Sequence, residues 1–352
     1  MSTDPSALTK SERREIVQRA KPVVDKVQIR ELNEVIELLS EAIADRSRKW
    51  FLIIDGLDEP WAEQNIQYNL IRALIESIRT FRKMDNLKII VVLRDDLYEK
   101  VISKTKRSGF QSEKYEGIIA KVKWSPGELR MLINKRIEYL FVRKYEKRNI
   151  VKLYDVIPSN IRKFDTYNFV IMRTLFRPRD IIAFINEILE NAAGKTEIGY
   201  KNVRDAEFTY SKKRLTALEE EWSSMHPMLG KYVSFLANRK EKIPFTDISV
   251  REFIEDMVLA IVEQTDSTTD GITELAQEIM KKQTATRILN MSKEWVLCLY
   301  KVGAIGVKPE LGSKFLFSHA DGHQLSRSQL SKDTILSVHP MLWRSLNITP
   351  NI

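Results

Sequence analysis

The 352-residue sequence contains few cysteines, histidines and glycines, and its hydrophobic runs are short. Its one cysteine, Cys298, excludes an intramolecular disulfide, and its four histidines show no metal-ligand spacing, so redox and zinc chemistry are not expected. No apolar run approaches the roughly 18 residues that cross a bilayer, and the first residues lack the apolar centre of a secretory signal. We therefore expect a cytoplasmic protein without a membrane partner.

Glycine is missing where a phosphate-binding loop would need it. The pattern G-x-x-x-x-G-K-[ST] occurs nowhere in the chain, and the 49 residues before Trp50 contain no glycine. Gly194, Lys195 and Thr196 match the end of the pattern, but the required earlier glycine falls on Leu189 within a helical segment. We interpret Gly194 as the C-terminal cap of a helix. Most of the affinity for a nucleotide should therefore be absent from this polypeptide alone.

Positive charge exceeds negative charge, with a net charge of +9 and a pI near 9.3. An anionic partner such as a nucleic acid, a nucleotide or an acidic protein surface would match this balance. Most basic residues alternate with acidic ones, as in "RKYEKRN", and this alternation is typical of solvated helix faces.

Two hydrophobic segments flank an amphipathic one in the N-terminal third of the chain. Residues 50–54 (WFLII) and 87–94 (LKIIVVLR) favour strands buried on both faces, the type found in parallel sheets. Residues 62–83 between them, and residues 11–45 before them, carry apolar side chains at helical spacing. A β-strand–helix–β-strand unit with a right-handed crossover brings the carboxyl ends of both strands to one edge of the sheet.

A cluster of carboxylates follows the first predicted strand. Asp55 comes directly after Ile54 and is placed to hold a Mg²⁺ ion that bridges nucleotide phosphates. Asp58 and Glu59 lie just beyond, where either carboxylate can orient or deprotonate an attacking water. Gly56 leaves room for a phosphate or metal to approach the backbone. The alternative is a strand that ends in a solvated acidic turn.

Arginines occupy two further sites of interest. Arg94 ends the second predicted strand, where its guanidinium can reach a γ-phosphate and stabilise transferring charge. Arg177 and Arg179 lie at the start of a helical segment, where the helix dipole disfavours positive charge, so a bound anion would rationalise them. A surface turn at Arg179 and Asp180 is the alternative.

These segments resemble motifs of nucleotide-hydrolysing proteins. "FLIIDGLDE" resembles the extended Walker B motif of STAND ATPases, including the NACHT group, and "KIIVVLRDD" is similar to their sensor 1 strand. "RPRDII" is similar to their sensor 2 helix, and "VKWSPGELRMLINKRIEYL" is similar to a segment of bacterial FunZ-like P-loop ATPases. The resemblance covers roughly residues 30–240.

The resemblance implies an ATP- and Mg²⁺-dependent molecular switch in bacterial signalling or phage defence. The implied roles are Asp55 for Mg²⁺, Asp58 or Glu59 for water, Arg94 for the γ-phosphate, and Arg179 or, with less support, Arg177 for contact from a lid. Because the Walker A phosphate loop is missing, we do not expect this chain alone to be an active ATPase. Three explanations fit: the C-terminal part of a longer ATPase, a split partner of a polypeptide that carries Walker A, or a degenerate relative.

The C-terminal residues favour a winged-helix-like module. Residues 292–319 predict a short helix, a strand, a Pro/Gly turn and a second strand. Lys293, Lys301, Lys308 and Lys314 offer few phosphate contacts, which favours an intramolecular or protein-binding role over DNA binding. The alternative function for the whole chain is therefore a non-catalytic winged-helix adaptor for nucleic acid or protein, and a homo-oligomer is also compatible with the sequence.

The expected architecture has three parts. A partial P-loop core of α/β class, with a parallel sheet, occupies residues 1–145. A mostly helical, lid-like domain follows over residues 146–240, and the winged-helix-like domain covers residues 241–352.

Overall fold

The computed structural model describes most of the chain from residue 30 onward. The described residues are 30–45, 47–59, 63–105, 115, 117–145, 150–263 and 270–350. They form a mostly helical protein with small sheets of two or three strands. The chain divides into two compact units between Lys121 and Val122. None of the helices in the described ranges is long and apolar enough to cross a membrane.

The first unit contains the predicted β-strand–helix–β-strand arrangement. Its elements are strand β1 (Trp50–Ile54), helix α1 (Gln64–Phe81), strand β2 (Leu87–Val91) and helix α2 (Asp95–Thr105). β1 and β2 pair in parallel, with Trp50 opposite Leu87 and Ile54 opposite Val91. Residues 30–42 are helical, and the rest of the predicted first helix, residues 11–29, lies outside the described residues.

The prediction that both strands are buried on both faces is wrong for β1, and also for β2, in which Lys88 and Ile90 are exposed. The side chains from Trp50 to Ile53 keep between 48% and 66% of their surface exposed. In the described part of the chain only β2 pairs with β1, and α1 packs mainly against α2. The small core of this unit consists of Tyr68, Ile71, Ile75, Leu97, Val101 and Tyr115. β1 stays open because the described elements supply no second layer over it, and the expected P-loop sheet is represented by two strands.

The second unit begins with a helical region. Helix α3 (Pro126–Tyr145) starts with the predicted capping box, in which Ser125 N donates to the Glu128 carboxylate at 2.7 Å and Glu128 N donates to Ser125 Oγ at 3.2 Å. The elements that follow are β3 (Asn160–Ile161), β4 (Phe164–Asp165), α4 (Thr166–Ile171), α5 (Pro178–Asn191) and α6 (Tyr200–Trp222). Their shared core includes Leu129, Ile133, Ile181, Phe184, Ile188 and Tyr210.

The long helix predicted from residue 202 to residue 238 is interrupted. Helix α6 ends at Trp222, and a separate helix α7 (Leu229–Ser234) follows. Pro227 lies in the interruption. Proline has no amide hydrogen and its ring clashes with the preceding helical turn, so the helix ends before it.

The C-terminal region surrounds a three-stranded antiparallel sheet. Its elements are β5 (Lys242–Pro244), α8 (Phe245–Ile248), α9 (Arg251–Val262), α10 (Gly271–Lys281), α11 (Ala285–Lys301), β6 (Ile305–Lys308), α12 (Ser318–Asp321) and β7 (Ile335–Val338). The strand order is β5-β7-β6. Trp295 of α11 is fully buried in the core beneath the sheet.

The second strand of the predicted C-terminal hairpin is replaced by β7. The segment expected to form it makes a single antiparallel bridge, between Val307 and Leu316. The Phe317 ring then lies over Gly306, where a Cβ atom would come within 2.5 Å of it. The chain turns into α12 at this point, and β7 takes the place beside β6.

The boundary between the two compact units, after Lys121, differs in position from the predicted domain boundaries at residues 145 and 240. Helix α3 contributes Leu129 and Ile133 to a core of the second unit. That unit also contains the predicted lid-like and C-terminal domains. Its two hydrophobic cores meet within α6, because Tyr210 belongs to one of them and Leu218 to the other.

Candidate functional site

The predicted acidic cluster and Arg94 lie at the carboxyl edge of β1 and β2. Asp55 directly follows β1, and Val92 N donates to Ile54 O at 2.8 Å, which carries the pairing one step beyond β2. Arg94 leaves the sheet at the same edge, and its Nη1 lies 3.5 Å from Asp58 Oδ2. The structure therefore brings together predicted site residues that follow two different strands.

Arg94 contacts two carboxylates. Its Nε and Nη2 donate to Asp96 at 3.0 and 3.2 Å, in addition to the contact with Asp58. The side chains of Arg94 and Asp58 are 44% and 41% exposed. Water screens such pairs, and each contributes only about 0.2–1 kcal/mol. The guanidinium is thus held near the loop and remains accessible to an incoming anion.

The loop that carries the carboxylates depends on the backbone conformation of Gly56. This residue has a φ of +76°, a left-handed conformation that favours glycine, and its amide donates to Asp55 Oδ1 at 2.8 Å. A Cβ atom here would meet only the Glu59 carboxyl group, at an ordinary distance of 3.7 Å. Backbone conformation, rather than the predicted room for a ligand, explains this glycine.

Gln67 of α1 positions the acidic loop, and the sequence patterns did not single it out. Its Nε2 donates to the carbonyl oxygens of Leu57 and Glu59 at 2.8 and 2.9 Å, and the residue is only 6% exposed. These two bonds tie the loop to the helix. The available signal was its place one turn before Ile71 on the buried stripe of α1, where an amide needs hydrogen-bond partners.

The acidic side chains form a partial set of metal ligands. Among the residues that the structure describes, no three His, Cys, Asp or Glu side chains converge to hold a metal ion. Mg²⁺ in nucleotide sites takes one or two carboxylates and completes its shell with phosphate oxygens and water. Asp55, exposed at the end of β1, fits that use. A metal site closed by protein ligands alone does not fit.

The two arginines of the FRPRD segment belong to the second unit. Arg177 is the N-cap residue of α5, and its Nη1 lies 2.9 and 2.8 Å from the two carboxylate oxygens of Glu221 on α6. This carboxylate is an anion that offsets the positive charge at the helix N-terminus. Arg179 is exposed and forms no ion pair within the described part of the chain. Their roles toward a nucleotide stay predictions.

Asp180 is buried, which contradicts a simple surface turn at this point. It is 2% exposed, and its carboxylate accepts hydrogen bonds from Arg214 Nη1 at 3.1 Å and Leu175 N at 3.3 Å. A second buried pair, Arg173–Glu207 at 2.7 Å, joins the segment before α5 to α6. The segment therefore fixes α5 against α6.

Helix α11, which a DNA-binding winged helix would lay in the major groove, is covered along its second half. Lys293 Nζ donates to Arg327 O at 3.0 Å, and Tyr300 OH donates to His323 O at 3.0 Å. Glu294 forms an ion pair with Arg327. The connection between β6 and β7 thus engages polar side chains that a groove-binding helix would direct toward DNA.

Comparisons with known proteins relate part of the chain to one family. Residues 127–219 match the FunZ-associated C-terminal helical domain, which confirms the resemblance to FunZ-like proteins in this region. The chain is 26% identical over 323 residues to the "Putative transposon gamma-delta 80.3 kDa protein" of Escherichia coli (strain K12). That match covers 91% of the chain and 42% of the relative, so the chain spans less than half of the relative's length. No solved structure matches the chain significantly.

Proposed function

We propose that this chain contributes the metal- and γ-phosphate-facing part of a STAND-like P-loop ATPase, which acts as an ATP- and Mg²⁺-dependent switch in the bacterial cytoplasm. The observation that carries the proposal is the contact between Asp58 and Arg94 at the carboxyl edge of two parallel strands, next to Asp55. Open α/β sheets bind their ligands at this edge. A role in signalling or phage defence follows from the resemblance to STAND proteins.

The proposed roles follow from the positions of the side chains. Asp55 holds Mg²⁺, which when bound offsets the negative charge of the phosphates. Arg94 exchanges its contacts with Asp58 and Asp96 for a γ-phosphate oxygen. Asp58, released by that exchange, orients or deprotonates the attacking water, and Glu59 on the same loop is the alternative base.

Arg179 is the better candidate for a lid arginine in this proposal. Its side chain is exposed, whereas the guanidinium of Arg177 already binds the Glu221 carboxylate. Contact with a phosphate costs an arginine less free energy when no ion pair with a carboxylate has to be broken first. Arg177 is the residue that supports the helix start.

A phosphate-binding loop has to be supplied by another segment for this site to turn over ATP. We propose that this segment lies in a longer polypeptide or in a split partner, and a degenerate relative that binds no nucleotide is the remaining alternative. The 42% coverage of the relative shows that a matching protein carries a long further segment, which supports the first form. The chain by itself should bind ATP weakly and hydrolyse it at no useful rate.

Paramagnetic NMR with Mn²⁺·ATP tests the proposal at the weak affinity that we expect. Mn²⁺ prefers the same oxygen ligands as Mg²⁺ and broadens the resonances of nearby amides. We expect selective broadening at residues 55–59 and 92–96, and its loss in the Asp55→Asn variant. Asp85→Asn is the matched control, because Asp85 is exposed near the amino end of β2, and it should keep the broadening. Uniform broadening, or broadening unchanged by Asp55→Asn, would contradict the proposal.

The sheet order of the C-terminal region supports a second candidate function. An antiparallel β5-β7-β6 sheet, with α11 leading directly into β6, is compatible with a winged-helix-like module. The alternative is a non-catalytic adaptor whose winged-helix module binds protein, since the β6–β7 connection covers α11. Fluorescence anisotropy with duplex DNA tests the choice of partner. DNA binding that weakens steeply with salt and ignores Mg²⁺ and ATP would make the adaptor a nucleic-acid binder instead.

A further inference from the structure

Within the part of the chain that the structure describes, strand β1 has one open backbone edge. The amide of Trp50 and the carbonyl of Ile54 bond to the β2 side, both at 2.8 Å, so the even-numbered residues of β1 face β2. Because backbone groups alternate in direction, the N–H and C=O groups of Phe51 and Ile53 point to the opposite edge. The described residues place no strand there.

The two ends of β1 carry opposite charges, and the residues between them are all apolar. Lys49 precedes the strand and Asp55 follows it, and both residues are exposed. The Lys49 ammonium donates to Asp85 O and Asn86 Oδ1 at 3.4 Å, two long contacts that an ion pair with a second copy would replace. If two copies of β1 pair in antiparallel fashion around Leu52, Lys49 lies opposite Asp55 of the other copy, and Phe51 lies opposite Ile53. The residues whose backbone points to the open edge then face each other, as hydrogen-bonded pairs require. A shift of the register by two residues separates Lys49 from Asp55.

The outer edge of β2 lacks this complementarity. Lys88 stands within β2 and is exposed, and a lysine in that place protects a sheet edge from pairing. An antiparallel pair of β2 strands centred on Ile89 would set Lys88 opposite Ile90 and would form no ion pair. β1 is therefore the edge that is suited to self-association.

We propose that two copies of this chain associate through their β1 strands in an antiparallel, two-fold symmetric pair. The product is a four-stranded sheet in the order β2-β1-β1-β2. Two Lys49–Asp55 ion pairs set its register, and cross-strand contacts between Phe51 and Ile53 cover apolar surface. The two-fold symmetry occupies the open edge of β1 in both copies, so the assembly closes as a dimer at this edge.

Sedimentation velocity over a concentration series tests this dimer. EDTA keeps metal ions away from Asp55, so the result does not depend on the proposed nucleotide site. We expect the unmodified chain to dimerise, and Lys49→Asp or Asp55→Lys to weaken the dimer by roughly tenfold or more, because each variant sets like charges opposite each other twice. The double variant with both substitutions restores opposite charges and should restore the dimer.

Lys83→Asp is the matched control for net charge. Lys83 is exposed after α1 in the same unit, and its variant should dimerise like the unmodified chain. A chain that stays monomeric, or a dimer that Lys49→Asp leaves intact, overturns the proposal. Failure of the double variant to recover the dimer overturns the proposed register, whereas recovery also shows that the substituted strands are folded.

Discussion

At the residue scale, Gln67 shows how one buried side chain can position a candidate site. Its side-chain amide donates hydrogen bonds to two uncharged backbone carbonyl groups of the acidic loop. No sequence motif identifies these carbonyl groups. These hydrogen bonds are partly buried, so carbonyl groups that lose their donor keep part of the cost of leaving water. The position of the acidic loop therefore depends on a helix residue that lies eight and ten positions along the chain from the carbonyls it binds.

We predict that Gln67→Ala lowers the free energy of unfolding of the first unit by about 1–2 kcal/mol. It should also speed hydrogen exchange at the Glu59 amide, which donates to Gly56 O within the loop. Hydrogen-exchange NMR measures both effects. Thr80→Ala, exposed on the same helix, is the control and should change neither. Unchanged protection of the Glu59 amide in the Gln67→Ala variant would show that the two hydrogen bonds of Gln67 do not position the loop.

At the element scale, α5 and α6 are joined by buried ion pairs as well as by apolar contacts. Asp180 and Arg214 are both buried, and Arg214 also lies 3.5 Å from Glu221. The sequence predicted both helices from their periodicity. The sequence did not predict that Asp180 would be buried while the neighbouring Arg179 would be exposed to solvent.

We predict that Asp180→Ala lowers the free energy of unfolding of the second unit by about 3 kcal/mol, because Arg214 is left buried without its nearest counter-charge. The remaining contact with Glu221 keeps the loss at the lower end of the usual range. Urea unfolding measures the change. Arg179→Ala, at the adjacent exposed residue, should stay within about 0.5 kcal/mol of the unmodified chain. Equal losses in the two variants would contradict a structural role for the buried pair.

At the scale of the whole molecule, two histidines lie where the cores of the second unit meet. The His319 ring lies 5.0 Å from the rings of both Phe176 and His339. Burial and the positive charge of Arg177 lower the pKa of His319 to about 4, against the opposing effect of Asp321. Burial, together with His319 and nearby arginines, also lowers the pKa of His339 well below its ordinary value. Both imidazoles are therefore neutral in the folded protein near neutral pH.

We predict that the second unit loses stability as the pH falls from about 6.5 toward 4. Histidines of the unfolded chain take up protons near pH 6.5, whereas the folded state keeps these two neutral. His319→Phe keeps a ring in place and removes one titrating group. Its free energy of unfolding should therefore fall by about 3 kcal/mol less over this pH range than that of the unmodified chain. Urea unfolding at several pH values measures the difference. Parallel pH profiles for the two proteins would contradict the assignment, and His323→Phe, at an exposed position, is the control.

Much of the first unit and half of the candidate site were predictable. Strand and helix periodicity located β1, α1 and β2, and chain order placed Asp55 and Arg94 at one edge. Gln67 was not predicted, because its importance depends on which carbonyl groups the folded loop turns toward α1. The phosphate-facing use of these residues stays a prediction.

By itself, the sequence determined the local elements and the common edge of Asp55 and Arg94. Periodicity sets the elements, and a crossover through a helix lets the two strands run parallel, which brings their carboxyl ends to one edge. Only the tertiary structure decided that Arg177 pairs with Glu221, that Asp180 is buried against Arg214 and that β1 remains exposed. Those outcomes depend on partners 44 and 34 residues away in the chain, and on whether a second layer covers the strand, which no local pattern encodes.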